Sequence, residues 1–392
     1  MAERGFFGWA VVAAIVALTG CADAKTRWGG YVAEQRSLVG ASTERVFSVH
    51  WWTRADQAFE LPYKPVEPGE PEVDSRSGNV FVGTGDGKVR AFDSRGRYLW
   101  EYHVGSAFDA GPTLADGRLY VASSKGQLLA LDPANGNKLW EYLAGEELVT
   151  KPVVADGLVV VASTSDTVYA IDQVKGEWRW QYRRDAPSDF TVRGASRPLV
   201  FEGRVFAGFA DGHAVALDAK DGTVQWAKDL AGGKPFADVD AGPVIDDEGR
   251  VYFASFATGV FALEAGTGKL IWTVERPNVS AMAISPDGKK LFVGGNGFAA
   301  GYRASTGQVR WTVTLGADRF VSGMAVVNGL VLASTGPGPL LFLDGGTGAL
   351  RRSFNPGHGV WAKPNIHGQA MACVLSNRGV IYDLGIEARG AP

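Results

Sequence analysis

A repeated sequence unit constrains the fold of this chain more than any other feature. Each copy contains an apolar run, a Gly-containing turn, a second apolar run that ends in Leu-Asp or a similar pair, another turn, and a strand that carries Trp. Two copies read RLYVASSKGQLLALDPANGNKLW and RVYFASFATGVFALEAGTGKLIW. With the short run after each Pro or Met, a unit supplies four strands, which is one blade of a β-propeller. The copies end at Trp100, Trp140, Trp180, Trp226, Trp272 and Trp311, with a degenerate copy at Phe354.

The way in which the ring closes can be predicted by counting. Pro112 to Asp132 spans 20 residues and Pro364 to Asp383 spans 19, so a last blade begins near Pro364. No Trp follows Asp383, and we expect the N-terminal run RVFSVHWWTRA to supply the missing outer strand, with Trp52 as its Trp. Such a strand hides two sheet edges. The sequence therefore predicts an all-β, eight-bladed propeller of four-stranded blades, or seven blades if the last unit is only a tail.

The residues that recur in each unit have a structural explanation. An Asp side chain accepts hydrogen bonds from backbone N–H groups two residues on, and a following Gly accepts positive φ, so the pair closes a tight hairpin. One Trp per blade is expected to pack against the neighbouring blade. Neither set predicts a catalytic site. The acid recurs as Asp93, Asp132, Asp172, Asp218 and Asp344, with Glu264 and Arg303 as departures.

The N-terminus is typical of a targeting segment. Arg4 precedes the apolar run GFFGWAVVAAIVAL, which is short for a membrane span. The run leads to LTGC, which resembles a bacterial lipobox, so we expect Cys21 to be lipidated. The expected division is a signal peptide at 1–20, a lipidated tether at 21–45 and a propeller at 46–392. Ala22, and not Asp, directly follows Cys21. In the lipoprotein sorting pattern that this segment resembles, this favours the outer membrane, with the protein facing the periplasm. The alternative to a lipoprotein signal is an ordinary secretory signal or an uncleaved anchor helix.

Composition and motifs argue against several function classes. The net charge is −3 without a basic block, which argues against nucleic acid as a partner. Two cysteines exclude a disulfide framework and a Cys-rich zinc site. The five histidines lack metal-ligand spacing, and no G-x-S-x-G nucleophile motif occurs. We therefore predict no catalytic residues, no cofactor and no metal.

Two long connections between blades interrupt the repeat. Trp180 to Pro198 is 18 residues and Trp226 to Pro243 is 17, whereas Trp272 to Met282 is 10. Connections of this kind emerge on one face of a propeller, so two long ones in succession lie side by side there. Loops of this kind commonly carry binding residues.

These two connections contain residues suited to a partner surface. The first contributes Phe190, Val192 and Arg193, and the second contributes Asp238 and Asp240. Apolar side chains with an Arg are enriched in interfaces, and the Arg fork binds a carboxylate bidentately. The simpler alternative is that Arg193 pairs with one of the two carboxylates and only holds the loops together.

The lipobox, the repeats and the segments TVRGASRP and ADVDAGPV together resemble the BamB family, lipoproteins of the outer-membrane β-barrel assembly machinery. The resemblance implies a non-catalytic scaffold that binds the periplasmic POTRA region of BamA, works with other subunits of that complex, and assists unfolded outer-membrane proteins. It also implies that Phe190, Val192 and Arg193 supply one half of the BamA contact and Asp238 and Asp240 the other. Phe190 and Val192 stand where that family tends to have leucines, so apolar character is kept.

Two other functions remain open on the sequence. The repeat also resembles that of pyrroloquinoline-quinone (PQQ) dehydrogenases, which implies a calcium ion with acidic and amide ligands and adjacent cysteines near the cofactor. Cys373 has no cysteine neighbour here. The remaining class is a lipid-anchored propeller with a different protein or polysaccharide-export partner.

Overall fold

The computed structural model describes residues 45–55, 66–185, 195–316 and 319–387. These residues form eight four-stranded antiparallel sheets, each one blade of a propeller. The prediction of an all-β, eight-bladed propeller is confirmed, and the seven-bladed alternative is wrong. Within the same residues no helix is long and apolar enough to cross a membrane. The predicted signal peptide and nearly all of the predicted tether, including Cys21, lie outside the described ranges.

Blades 1 to 4 follow one another along the chain. Blade 1 contains β2 (Glu72–Val73), β3 (Val80–Thr84), β4 (Lys88–Phe92) and β5 (Tyr98–His103). Blade 2 contains β6 (Thr113–Ala115), β7 (Arg118–Ala122), β8 (Gln127–Leu131) and β9 (Lys138–Leu143). Blade 3 contains β10 (Val153–Ala155), β11 (Leu158–Ala162), β12 (Thr167–Asp172) and β13 (Trp178–Arg183). Blade 4 contains β14 (Leu199–Phe201), β15 (Arg204–Gly208), β16 (His213–Asp218) and β17 (Val224–Asp229).

Blades 5 to 7 continue this order, and blade 8 joins the two ends of the chain. Blade 5 contains β18 (Ala241–Ile245), β19 (Arg250–Ser255), β20 (Gly259–Glu264) and β21 (Leu270–Glu275). Blade 6 contains β22 (Val279–Ile284), β23 (Lys290–Gly295), β24 (Phe298–Arg303) and β25 (Val309–Thr314). Blade 7 contains β26 (Gly323–Val327), β27 (Leu330–Ser334), β28 (Leu340–Asp344) and β29 (Leu350–Phe354). Blade 8 contains β30 (Asn365–His367), β31 (Met371–Leu375), β32 (Val380–Ile386) and β1 (Phe47–Arg54).

The hydrophobic core lies between blades. The second and third strands of each blade are almost wholly buried, which explains their continuous apolar runs. The outer strands alternate between exposed and buried positions. One core cluster joins Tyr120 and Leu128 of blade 2 to Val159 and Ile171 of blade 3. Each of the eight clusters combines residues of two neighbouring blades, so each blade is stabilised by contacts with its neighbours.

The outer-strand Trp interlocks neighbouring blades, as predicted. Trp140 Nε1 donates a hydrogen bond to the carbonyl of Gln173 in blade 3, at 3.2 Å. Its ring lies against Gly176, where φ is +72° and an added Cβ would lie 2.6 Å from the ring. This glycine is therefore required by both its backbone conformation and the close approach. The same Trp-to-carbonyl bond is made by Trp100, Trp180, Trp226, Trp272 and Trp311.

The ring closes through β1, but with a different Trp from the one predicted. β1 pairs antiparallel with β32, and a bulge shifts the register between Val49 and Trp51. Trp51 packs on Gly96 of blade 1, where an added Cβ would lie 2.6 Å from its ring. Trp52 is 66% exposed. The assignment of Trp52 as the packing Trp was wrong because the bulge moves each following side chain by one position.

Blade 7 also differs from the predicted pattern. β29 pairs with β28 through the same bulge as in blades 1 to 6, and Arg352 lies opposite Phe342 at the position that Trp occupies in those blades. Phe354 lies two residues further on and packs edge-on against Phe47 of β1 and Tyr382 of β32. Phe354 therefore helps to seal blade 7 against the closing blade rather than replacing the Trp.

The first strands of the blades surround a central channel. The connection before β2 brings Glu70 towards it, and β2 brings Glu72. Lys151 Nζ lies 2.8 Å from Glu72 Oε2 and 3.3 Å from Glu70 Oε2. Burial alone would raise the pKa of Glu70, but the positive charges of Lys151, Lys363 and Arg197 outweigh it and hold the pKa at about 2. The long connection between blades 8 and 1 therefore also supplies the acids of this ion cluster.

Candidate partner-binding site

One face of the propeller carries the candidate site. The turns between second and third strands and the connections between blades emerge together there, and we call it the loop face. Over blades 3 to 5 this face brings together four carboxylates. Asp166 comes from the turn after β11, Asp211 from the turn after β15, and Asp238 and Asp240 from the connection between β17 and β18. We call these residues the acidic shelf.

The connection that carries Asp238 and Asp240 packs against blades 4 and 5 and is hydrogen-bonded to blade 5. Val239, between the two carboxylates, is fully buried in the cluster that joins blades 4 and 5. Its carbonyl would lie 2.3 Å from a Cβ added at Gly208, so that position accepts only glycine. Phe256 N–H donates to the Asp238 carbonyl at 2.8 Å. The two acids are thus presented on a backbone that packing holds in place.

The shelf disfavours negative charge. Burial raises the pKa of Asp240 to about 7, and the neighbouring Asp238 and Asp166 add to that shift. Burial likewise raises the pKa of Asp166 to about 6, with Asp211 and Asp238 contributing and Arg184 opposing. Like charges held close together in a poorly solvated place retain protons near neutral pH. A cation brought in by a partner would relieve this repulsion.

Arg184 organises one side of the shelf. Its Nε donates to Asp211 Oδ2 at 2.6 Å, and its Nη1 donates to the Tyr182 hydroxyl at 3.3 Å. Its backbone N–H donates to the carbonyl of Asp166 at 3.2 Å. The Asp166 carboxylate in turn accepts from the N–H of Ala210 at 3.3 Å. These bonds tie together the turns of blades 3 and 4 and the start of the long connection that follows β13.

The structure gives positions to only some of the predicted site residues. Asp238 is buried and Asp240 is partly buried, beside each other on the loop face, as their spacing suggested. Phe236 in the same connection is 53% exposed. Phe190, Val192 and Arg193 lie outside the described residues, as does the lipidation site Cys21. The contact between the two long connections therefore stays a prediction.

Sequence reasoning missed Asp166, Asp211 and Arg184. Each lies in a repeat unit adjoining the long connections, at a turn or strand end on the same face. The available signal was positional: SDT at 165–167 and ADG at 210–212 are equivalent turns in successive units. Their carboxylates could have been placed near Asp238 by counting turns in each blade.

The residues present do not fit the metal and cysteine chemistry of a quinoprotein. Among the described residues, no three His, Cys, Asp or Glu side chains are grouped so as to hold a metal ion. Cys373 is a single buried thiol, and burial raises its pKa well above the usual value. Neither the calcium ligands nor the adjacent cysteines that the PQQ resemblance implies are found there.

Comparison with protein families places these observations in context. A family model described as outer membrane protein assembly factor BamB matches residues 85–300 and 257–385. Together the two matches span most of the propeller. No curated protein matches the chain.

Solved structures share the fold at low sequence identity. BamB from Moraxella catarrhalis superposes with a TM-score of 0.75 at 19% identity, covering 87% of this chain and 100% of that one. Saccharomyces cerevisiae Sqt1 gives 0.72 at 15%, covering 88% and 100%. Quinohemoprotein alcohol dehydrogenase from Comamonas testosteroni gives 0.68 at 14%, covering 88% of this chain and 77% of that one. At these identities the superpositions show the architecture alone.

Proposed function

This chain belongs to the family of the outer membrane protein assembly factor BamB, and from that membership we propose that it is a non-catalytic scaffold of the outer-membrane β-barrel assembly machinery. Its loop face binds the periplasmic POTRA region of BamA, and a lipid on Cys21 holds it at the outer membrane, facing the periplasm. The observation that carries the proposal is the family match, which extends from residue 85 to residue 385.

The acidic shelf supports the position of the contact. Asp240 and Asp166 have raised pKa values, so a partner Lys or Arg would gain a favourable charge interaction there. The exposed ring of Phe236 adds apolar area at the edge. A fixed backbone also means that little conformational entropy is lost on binding. We infer that Arg193, Phe190 and Val192 complete this surface from the neighbouring connection.

A quinoprotein dehydrogenase is the enzyme alternative, and the shared propeller architecture is its support. Cofactor binding would stabilise the folded state by mass action. The scaffold proposal predicts that PQQ with calcium leaves the melting temperature unchanged. A rise that saturates with PQQ concentration would favour the enzyme instead.

Co-purification from native membranes tests the proposal. Tagged full-length protein is extracted in mild detergent as wild type, Arg193→Glu, Asp240→Lys and Glu177→Lys, with a melting temperature for each. Glu177 is exposed and lies in the turn between β12 and β13, on the opposite face, so its charge reversal is the matched control. We expect BamA with wild type and Glu177→Lys, and a loss of about tenfold or more with the other two. BamA absent from wild type, or equal recovery with all four proteins of equal stability, would refute the proposal.

A further inference from the structure

Blade 6 breaks the repeat at Arg303, where the other complete units place an acid. Cross-strand pairing sets Arg204 opposite Asp218 in blade 4 and Arg250 opposite Glu264 in blade 5. In blade 6 the same register sets Lys290 opposite Arg303. Like charges directly opposite each other on one sheet destabilise it.

The replacement of the acid by Arg303 also removes the hydrogen bond from a backbone N–H to the acid side chain that stabilises this turn in other blades. In blade 2, Asp132 Oδ1 accepts a hydrogen bond from the N–H of Ala134 at 2.9 Å, and in blade 4 Asp218 Oδ1 accepts from the N–H of Lys220 at 2.9 Å. Arg303 has no acceptor on its side chain, and its turn relies on backbone bonds such as Gly307 N–H to the Arg303 carbonyl at 2.9 Å. Blade 6 therefore loses both a favourable cross-strand pair and a side-chain cap.

Further cations surround this position on the face opposite the loop face. A shallow cavity of about 280 Å³ is lined by Glu248, Arg250, Lys289, Lys290, Arg303, Ser305 and Arg310. Arg250 is neutralised within the protein, because its Nη2 lies 2.7 Å from Asp246 Oδ2 and its Nη1 pairs with Glu248.

Four positive charges remain in the cavity. Lys289, Lys290, Arg303 and Arg310 are exposed, and within the described ranges none of them forms a salt bridge. The nearby Asp287 is engaged in its own turn, where Oδ1 accepts from Ser285 Oγ at 2.5 Å and from the Lys289 N–H at 3.2 Å. In a chain of net charge −3, this is a local excess of positive charge, which the Asp287 carboxylate offsets only in part through its attraction to Lys289 and Lys290.

We propose that this blade 6 cavity is a binding site for a phosphate group. Arg303 and Arg310 offer planar guanidinium forks, Lys289 and Lys290 offer compact ammonium donors, and Ser305 adds a hydroxyl. This set matches the charge and the acceptor oxygens of a phosphate. A bound phosphate would also neutralise the Lys290–Arg303 repulsion. The site lies on the other face from the acidic shelf and is independent of the proposed BamA contact.

Ligand-dependent melting of the full-length protein tests the proposal. In buffer of constant ionic strength, inorganic phosphate is titrated against chloride, and soluble short-chain phosphatidylglycerol is titrated in parallel. We expect a saturable rise in melting temperature with at least one of them, and the tighter of the two identifies a free phosphate or a lipid headgroup as the source. No rise with either would overturn the proposal.

Two reciprocal substitutions make the test specific. Arg303→Asp restores the acid of the other blades, so the ligand-free protein should melt higher while phosphate affinity falls about tenfold or more. Asp218→Arg sets Arg opposite Arg204 in blade 4, away from the cavity lysines, and should lower the melting temperature without creating phosphate binding. Unchanged phosphate affinity in Arg303→Asp, whatever its stability, would refute the site.

Discussion

At the scale of single residues, the acidic shelf is where this propeller departs most from a purely structural repeat. Asp240 has a pKa raised to about 7 and Asp166 a pKa raised to about 6, and burial is the largest cause of each. A carboxyl group whose pKa is higher in the folded state than in the unfolded chain binds more protons when folded. Such a group lowers the free energy of unfolding: the loss is absent below the unfolded pKa, grows as the pH rises from the unfolded to the folded pKa, and is complete above the folded pKa.

Asp240→Asn should stabilise the protein at pH 8. The substitution removes a buried charge that wild type carries above pH 7, so the free energy of unfolding should rise by about 2 kcal/mol at pH 8 and change little at pH 4. Urea denaturation at both pH values measures this. Glu177→Gln removes an exposed carboxyl group on the opposite face and should show no such difference. A wild-type stability that is as high at pH 8 as at pH 5 would contradict the assigned repulsion.

At the scale of elements, the repeat in the sequence was sufficient to predict four strands per blade, eight blades and closure by an N-terminal strand. It did not predict local register. The bulge between Val49 and Trp51 leaves no trace in composition, because two adjacent Trp residues fit the pattern equally well. In blade 7 the bulge is the same as in blades 1 to 6, and Arg352 rather than Phe354 occupies the Trp position.

The two adjacent Trp residues of β1 should differ sharply in their contribution to stability. Trp51→Ala removes the ring that packs on Gly96 and should lower the free energy of unfolding by about 2 to 3 kcal/mol. Trp52→Ala removes a largely exposed ring and should change it by less than about 0.5 kcal/mol. Chemical denaturation of the two variants makes the comparison. A larger effect at Trp52 would mean that the register of β1 is different.

Of the four carboxylates of the acidic shelf, the sequence analysis identified only Asp238 and Asp240. Asp238 and Asp240 stood out because their connection is long. Asp166 and Asp211 lie in short turns of ordinary length, so nothing in their own segments marks them, and only a comparison of equivalent turns in successive repeat units indicates that they lie near Asp238. Distances between blades depend on ring geometry, which no local pattern in the sequence encodes.

At the scale of the whole molecule, stability depends on ring closure by β1. The strand completes the sheet of β30 to β32, and Phe47 stacks on Phe342 of blade 7 with ring centroids 4.9 Å apart. Deleting residues 1–54 should expose the edge of β32 and lower the free energy of unfolding by of the order of 5 kcal/mol. Deleting 1–44 keeps β1 and is the control. Calorimetry and size-exclusion chromatography compare the two, and equal melting temperatures would show that closure does not depend on β1.

A binding isotherm between the purified full-length protein in detergent and the POTRA region of BamA from the same organism tests whether the loop face binds BamA. Wild type should bind with an affinity that falls as the pH is lowered from 8 to 6, because Asp240 and Asp166 take up protons. Glu177→Lys should bind like wild type, whereas Asp240→Lys should lose about tenfold or more in affinity while melting no lower than wild type. Binding that is absent in wild type, or equal in all three proteins and independent of pH, would show that the loop face does not bind BamA.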